Sequence, residues 1–170
     1  MNTDILYFAK VRPDAIIPTK NEEDAGYDLY ANFPQECIYI ESGQTVMIPT
    51  GIATAFSDDY VFILKERGST GTKGMSQMAG VIDSGYRGEI VAPITNLGKR
   101  DIIISKLSRE EHIHKYGLYY SDCLFYPYSK AIAQGILFKL PKLNTEEISY
   151  DELSKIPSLR GVGKLGSSGK

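Results

Sequence analysis

Four short stretches of the sequence place charged or hydroxyl side chains beside small residues, an arrangement suited to binding or chemistry. They read DAGYDLYA at 24–31, ERGSTGTKG at 66–74, GVIDSGYRGEI at 80–90 and AIAQ at 131–134. In the third stretch Asp83 follows an apolar run, and an exposed carboxylate there could accept the proton of an attacking water. The alternative is a carboxylate that only forms a hairpin turn.

A fifth stretch, RGVGKLGSSGK at 160–170, contains glycines at the G-x-G-x-x-G spacing of a dinucleotide-binding turn. Only four residues follow the last of these glycines, too few for the helix that such a turn requires. RGSTGTKG also fails as a Walker A loop, because Thr72 stands where that loop needs glycine. The groups of the tail that can wrap a polyphosphate are its backbone N–H groups, Arg160, Ser167 and Ser168. The alternative is a disordered tail without function.

Composition favours one ordinary globular domain. The chain has 170 residues, of which 42% are hydrophobic and 24% charged, and its net charge is -2. This balance argues against direct nucleic-acid binding, which favours a basic face. Without an apolar stretch of about 20 residues or a signal peptide, we expect no membrane association and a cytoplasmic protein. Cys37 and Cys123 are then expected to be reduced thiols, although one disulfide stays possible.

The elements that must position these stretches are predicted to be strands. Short β-branched and aromatic runs are separated by turn signals, and long helical periodicity is almost absent, which predicts an all-β sandwich or barrel over residues 1–150. Residues 151–170 are predicted to form a flexible arm. The runs predicted as strands are DILYFAKV, ECIYIES, QTVMIPTGIATAF, YVFILKE, GEIVAPIT, DIIISKL and AIAQGILFKL.

Residues 107–128 interrupt this pattern. Ser108 and Glu111 form a capping box and Gly117 can end a helix, so a short helix is predicted there. An aromatic-rich run, LYYSDCLFYPY, follows. Its side chains either form a surface for a protein partner or pack against the helix and the barrel.

Taken in order, the five stretches resemble the five motifs of the homotrimeric dUTPases, whose patterns are roughly A-G-Y-D-L, R-S-G/S-x-x-x-K, G-x-I-D-x-x-Y-R-G, G-x-R-I-A-Q and R-G-x-G-G-F-G-S-T-G. The resemblance implies a jelly-roll-like β fold, a trimer with shared active sites, and Mg²⁺-dependent hydrolysis of dUTP to dUMP and pyrophosphate. Such an activity keeps uracil out of DNA and supplies dUMP for dTMP synthesis. The insert at 107–128 resembles those of some bacteriophage dUTPases, which would place the protein in the cytoplasm of a bacterial host.

The resemblance also implies a role for each matching residue. Asp83 corresponds to the carboxylate that activates water for attack on the α-phosphate. Tyr86 corresponds to the ring packed under the deoxyribose, where it leaves no room for a 2′-hydroxyl. Asp28 corresponds to a carboxylate that reaches Mg²⁺ through water, while the triphosphate holds most of the ion. The other residues implied to contact substrate are Arg67, Gly68, Ser69, Gly80, Ile82, Gln134, Arg160, Leu165, Gly166, Ser167 and Ser168.

The sequence departs from the family patterns at several positions. Gly68 follows Arg67 where serine is usual, so the phosphate contact falls to the Gly68 backbone or to Ser69. Ala131 replaces a basic residue, and Leu165 replaces the phenylalanine that stacks on uracil. A dCTP deaminase is a second reading within the superfamily, but Pro93 stands where that reaction needs a glutamate. A third reading is a regulatory protein that binds a partner through the insert.

Overall fold

The computed structural model describes residues 5–117 and 122–163. The described residues form two compact units, divided between Leu140 and Pro141. The first unit contains the strands and two short helices, and the second contains one helix. In chain order the elements are β1 Tyr7–Lys10, β2 Tyr27–Tyr30, β3 Cys37–Ile40, β4 Thr45–Pro49, β5 Ile52–Ala55, β6 Tyr60–Lys65, α1 Gly68–Gly71, β7 Met75–Gln77, β8 Val81–Ile82, β9 Val91–Asn96, β10 Ile102–Ser105, α2 Arg109–Tyr116, β11 Leu124–Pro127, β12 Ala131–Lys139 and α3 Tyr150–Lys155.

The strands form small sheets around one apolar core, and the all-β prediction is confirmed. The sheet orders are β2-β12-β6-β8, β4-β9-β7, β11-β10-β3 and β1-β5. In β6, Phe62 and Leu64 are buried while Val61 and Ile63 are partly exposed, as expected for a strand with one face on the core. In β10 every residue is buried, because this strand lies between two others and is covered on both faces.

Four strands of two to four residues, β2, β7, β8 and β11, lie outside the runs given as predicted strands. β7 and β8 pair antiparallel with β9 and β6, and β11 pairs parallel with β10. Strands this short carry too few residues for an alternating pattern, so their existence depends on the neighbours with which they pair. β9 also begins at Val91, three residues later than the run GEIVAPIT suggests.

The predicted helix within the insert is confirmed as α2. The Ser108 hydroxyl accepts from the N–H of Glu111 at 3.2 Å, and the Glu111 carboxylate accepts from the N–H of Ser108 at 2.8 Å. Gly117 ends the helix with a φ of 104°, a conformation that favours glycine.

The aromatic side chains that the structure describes after α2 point inward. Phe125 lies edge-on to buried His112 of α2, Tyr126 is 2% exposed within the core, and Tyr128 packs edge-on against Phe33. Packing against the helix and the barrel is therefore the arrangement found for these three residues. Residues 118–121, which include Tyr119 and Tyr120, lie outside the described residues.

The second unit contains α3, which the sequence did not predict as a helix. Ser149 and Glu152 cap its first turn reciprocally, in the same manner as Ser108 and Glu111 cap α2. The proposed division into a β domain and a flexible arm after residue 150 stays a prediction.

Among the described residues no helix is both long and apolar enough to cross a membrane. Cys37, in β3, and buried Cys123 are both free thiols.

Candidate active site

The first, second and fourth motifs meet at one end of the sheet β2-β12-β6-β8, where Asp28 holds the guanidinium group of Arg67. Arg67 Nε lies 2.7 Å from Asp28 Oδ1, and Arg67 Nη2 donates to Asp28 Oδ2 at 3.0 Å. One charge-assisted hydrogen bond and one close ion-pair contact thus hold the same edge of the guanidinium against the carboxylate. Each side chain is 30% exposed, so the pair lies at the surface of the barrel and within reach of a ligand.

Gln134 joins the first and second motifs from β12, the strand between them. Its Cα pairs with Asp28 on one side and with Lys65 on the other. The side-chain amide of Gln134 donates to the carbonyl of Glu66 at 2.7 Å. A Cβ added to Gly26 would lie 2.7 Å from the amide oxygen of Gln134, so glycine lets the first motif approach this side chain. The partner that an amide inside an apolar strand requires is therefore a backbone group of the second motif.

Glu66 anchors the second motif to β7. Its carboxylate accepts from the N–H of Gln77 at 2.9 Å and from the hydroxyl of Ser76 at 3.3 Å, and it lies 3.1 Å from the Lys65 ammonium. Burial alone would raise the pKa of Glu66, but the backbone N–H groups of Glu66 and Gln77 and the Lys65 ammonium together lower this pKa to about 2. The Glu66 carboxylate is therefore charged in the folded protein at neutral pH.

Arg67 also precedes α1, the short helix of the second motif. The first N–H groups of a helix have no partner within it, so the N–H groups of Gly68 and Ser69, at the start of α1, are not bonded inside the helix. Arg67 Nη1 lies 3.3 Å from the hydroxyl of Ser69. A cavity of about 440 Å³ is lined by the 66–76 segment and Leu97, with Gly68 in its wall.

The third motif forms a separate cavity of about 310 Å³. All four residues that were predicted from this motif to contact substrate line the cavity, together with apolar side chains of β4 and β9. The carboxylate-bearing residue among them, Asp83, is exposed and its carbonyl accepts from the N–H of Tyr86 at 3.0 Å, which makes the turn of the hairpin. The four predicted residues are Gly80, Ile82, Asp83 and Tyr86.

The hairpin that carries Asp83 is held by contacts that the sequence did not indicate. The hydroxyl of Tyr86 donates to the carbonyl of Glu89 at 3.0 Å, and a Cβ at Gly88 would collide with the Tyr86 ring. The Glu89 carboxylate in turn forms an ion pair with Arg12 and accepts from the N–H of Gly51 at 2.6 Å. The position of the Tyr86 ring thus depends on an ion pair below the hairpin.

Within one chain these two groups of residues do not meet. Ile82 pairs with Phe62 of β6, whereas Arg67 follows the other end of the same strand, five residues beyond Phe62. The antiparallel register places Asp83 opposite Val61, six residues from Arg67, so at roughly 3.3 Å per residue the two are about 20 Å apart along the direction of β6. A single chain therefore presents one half of the predicted site at each location.

Of the residues predicted from the fifth motif, one lies in the second unit and the others lie outside the residues that the structure describes. Arg160 is exposed, and its carbonyl accepts from the N–H of Gly163 at 3.2 Å. Leu165, Gly166, Ser167 and Ser168 lie outside the described residues.

Comparison with known proteins decides the family. A model of the dUTPase family matches residues 12–109. The deoxyuridine 5'-triphosphate nucleotidohydrolase of Rickettsia massiliae is 34% identical over 151 residues, which cover 87% of this chain and 84% of the relative. The chain belongs to the dUTPase family. The family model ends at Arg109, the first residue of α2, so it stops where the insert begins.

Solved structures of phage members of the family share the fold. A point mutant of the dUTPase of Staphylococcus bacteriophage 80alpha, solved with dUpNHpp, superposes with a TM-score of 0.73 at 21% identity, covering 99% of this chain and 100% of that one. A mutant dUTPase of phage phi11 of S. aureus, described with a structural Mg(II) ion, gives a TM-score of 0.65 at 19% identity and covers 88% and 99%. These likenesses confirm the jelly-roll-like dUTPase fold.

Several residues that shape the site were not singled out from the sequence. Glu66 and Glu89 lie inside the quoted motifs, and their conspicuous charge beside glycine-rich turns was an available signal. Arg12 lies 77 residues from Glu89 in sequence, and only the fold brings the two together. Tyr126 lies five residues before Ala131, and its contact with the fourth motif depends on the pairing of β11 with β10.

Proposed function

We propose that this enzyme of the dUTPase family hydrolyses dUTP to dUMP and pyrophosphate, with Asp83 activating water for attack on the α-phosphate. The observation that carries the proposal is that the chain has two distinct sites. One is an apolar cavity lined by Tyr86 and by the exposed carboxylate of Asp83, and the other is the separate cationic site at Arg67. The first suits a deoxynucleoside and the second a triphosphate.

In the nucleoside half, Asp83 accepts the proton of the attacking water, a role that suits an exposed carboxylate at neutral pH. Tyr86 covers the sugar. Its hydroxyl is held by the Glu89 carbonyl, and its ring lies directly against Gly88. A ring held in this way excludes a 2′-hydroxyl by contact, which selects deoxyribose over ribose.

In the phosphate half, Arg67 supplies a charged, planar donor group that suits phosphate oxygens. The N–H of Gly68 and the hydroxyl of Ser69 supply further donors beside it. Together they replace the serine that directly follows arginine in the family pattern.

The residues present fit a Mg²⁺ ion that is bound mainly by the triphosphate. Both carboxylate oxygens of Asp28 are already in contact with Arg67, so Asp28 suits contact through a water molecule better than direct ligation. The described residues contain no group of three or more acidic, histidine or cysteine side chains that could hold an ion by themselves. When bound with the substrate, Mg²⁺ would neutralise phosphate charge.

Each complete site is proposed to form between subunits of a homotrimer. The distance between Asp83 and Arg67 within one chain supports this arrangement, because a partner's hairpin must then approach the Arg67 site. The C-terminal arm, with Arg160, Leu165, Gly166, Ser167 and Ser168, is proposed to close over the phosphates. Truncation after Leu159 should then lower the turnover of dUTP, and full turnover without the arm would contradict that role.

The central experiment is a substrate panel of dUTP, dCTP, dTTP and UTP with Mg²⁺, followed by analysis of the phosphate products. Pyrophosphate release from dUTP alone is expected. Ammonia release from dCTP would instead support the deaminase reading, which Pro93 disfavours.

The role of Asp83 is tested by Asp83→Asn. Turnover of dUTP should fall at least about a thousandfold, because amides do not accept the proton, while the trimer and the affinity for dUpNHpp stay unchanged. Wild-type turnover in this variant would refute the assignment of the base.

A second function, binding of a regulatory protein through the insert, is supported by two observations. The family's 80alpha phage member is described as controlling the transfer of virulence genes by a G protein-like mechanism. Most residues of α2 in this chain are exposed, among them Glu110 and His114. Replacing these two residues by alanine should weaken partner binding without changing dUTP turnover; equal binding by the variant would move the surface elsewhere.

A further inference from the structure

The insert contributes one side chain to the phosphate half of the site. Tyr126 lies in β11, opposite Ile104 of the parallel strand β10, and it is 2% exposed. Its hydroxyl donates to the carbonyl of Ala131 at 2.6 Å, at the first residue of β12. Ala131 is the position at which this chain lacks the basic residue of the family's fourth motif.

The same carbonyl also faces the arginine of the second motif. Arg67 Nη1 lies 3.5 Å from the Ala131 carbonyl oxygen and 3.3 Å from the Ser69 hydroxyl. Ser69 and Arg67 also act electrostatically on the Tyr126 hydroxyl, and both lower its pKa. The edge of the guanidinium formed by Nε and Nη2 therefore lies against Asp28, and Nη1 lies against the carbonyl that accepts from Tyr126.

The protonation of Tyr126 supports this arrangement. Burial raises the pKa of Tyr126, so the phenol stays protonated at neutral pH, although Ser69 and Arg67 act in the opposite direction. A phenol has one proton and two lone pairs. Because the proton goes to the Ala131 carbonyl, the oxygen is left to accept from Arg67 or Ser69.

We propose that Tyr126 is a positioning residue for the triphosphate: from the insert, it holds Arg67 and Ser69 in their phosphate-binding arrangement through the Ala131 carbonyl and its own hydroxyl oxygen. This proposal rests on the proposed dUTPase function. A basic residue at position 131 would otherwise help to order the phosphate-binding side chains. In this chain Tyr126 of the insert takes over part of that role. Affinity for the phosphates, and not for the nucleoside, is what Tyr126 controls.

The test compares Tyr126→Phe with Tyr128→Phe in the full-length protein. Tyr126→Phe keeps the buried ring and removes only the hydroxyl, whereas Tyr128 packs against Phe33 and serves as the matched control. We expect Tyr126→Phe to raise both the KM for dUTP and the Kd for dUpNHpp about fivefold, with kcat and the Kd for dUMP within about twofold of wild type. Tyr128→Phe should change none of these values.

A second measurement does not depend on turnover. In ¹⁵N-labelled protein, hydrogen exchange at the Arg67 Nε–H should become faster in Tyr126→Phe and stay unchanged in Tyr128→Phe. Unchanged dUTP and dUpNHpp parameters with unchanged exchange would overturn the proposal. So would an equal loss of dUMP and dUpNHpp affinity, which indicates a general loss of structure. If wild type does not hydrolyse dUTP but exchange responds as expected, the proposed function fails while the positioning of Arg67 by Tyr126 stands.

Discussion

Two aspartates of this chain show how the same side chain is given different tasks by its surroundings. Asp28 is held in an ion pair with Arg67, whereas Asp83 is exposed at the wall of an apolar cavity. The motif around Asp83 was enough to predict a chemical role for it. The partner of Asp28 could not be predicted, because Arg67 is 39 residues away in the sequence.

A prediction at this scale concerns the ring of Tyr86. Gly88→Ala places a Cβ against that ring, so the ring must move and its bond to the Glu89 carbonyl must weaken. We expect kcat/KM for dUTP to fall at least about tenfold and the preference for dUTP over UTP to shrink. Gly85→Ala is the matched control in the same hairpin, since a Cβ there meets nothing within 4 Å. Equal effects of the two variants on both substrates would argue against selection by the ring.

At the scale of elements, the capping box of α2 was read correctly, whereas the same local signal at Ser149 and Glu152 of α3 was missed. Strand pairing could not be read from the sequence. α2 was predicted because its capping box lies within four residues of sequence, and the structure forms both of its bonds. β8 and β11 consist of two and four residues and exist through pairing with β6 and β10. The pairing of β11 with β10 places Tyr126 at the site, so no pattern within the insert predicts the position of Tyr126.

The junction of β6, β7 and α1 gives a prediction about acid stability. The folded-state pKa of Glu66 is about 2, below the ordinary value of 4.5, so Glu66 stabilises the fold above pH 4.5 and loses this contribution as pH falls toward 2. Glu66→Gln should therefore lower the free energy of unfolding at pH 7 by about 1–2 kcal/mol, after discounting for its partial exposure, and much less at pH 3.

Chemical denaturation at the two pH values measures this difference. Asp14→Asn, at an exposed position in the loop after β1, is a control that should show no comparable change. A loss for Glu66→Gln that is as large at pH 3 as at pH 7 would mean that the carboxylate's charge does not anchor β7.

At the scale of the whole molecule, the two halves of the proposed site are too far apart in one chain to share a substrate. Geometry within the chain reveals this separation, whereas the motifs alone, read along the sequence, give no distances. In the proposed homotrimer, the Asp83 of one subunit would lie beside the Arg67 of another.

Complementation tests this sharing. Asp83→Asn and Arg67→Ala should each be nearly inactive as homotrimers. When the two are co-expressed in equal amounts, about a quarter of all sites would draw an intact Asp83 and an intact Arg67 from different subunits, so about a quarter of wild-type activity should return. Mixing the two homotrimers without subunit exchange is the control, and a co-expressed protein as inactive as its parents would contradict a shared site.

The hydrogen bond between Tyr126 and Ala131 also has a consequence for protein engineering. An insert that sends a buried phenol to the start of β12 is not a cassette that can be cut out or exchanged at its ends. A chimera in which this insert is replaced by the insert of another family member would need positions 126 and 131 from the same parent. Junctions placed between those two positions would separate the donor from its acceptor, whereas junctions before β10 and after Ala131 would keep them together.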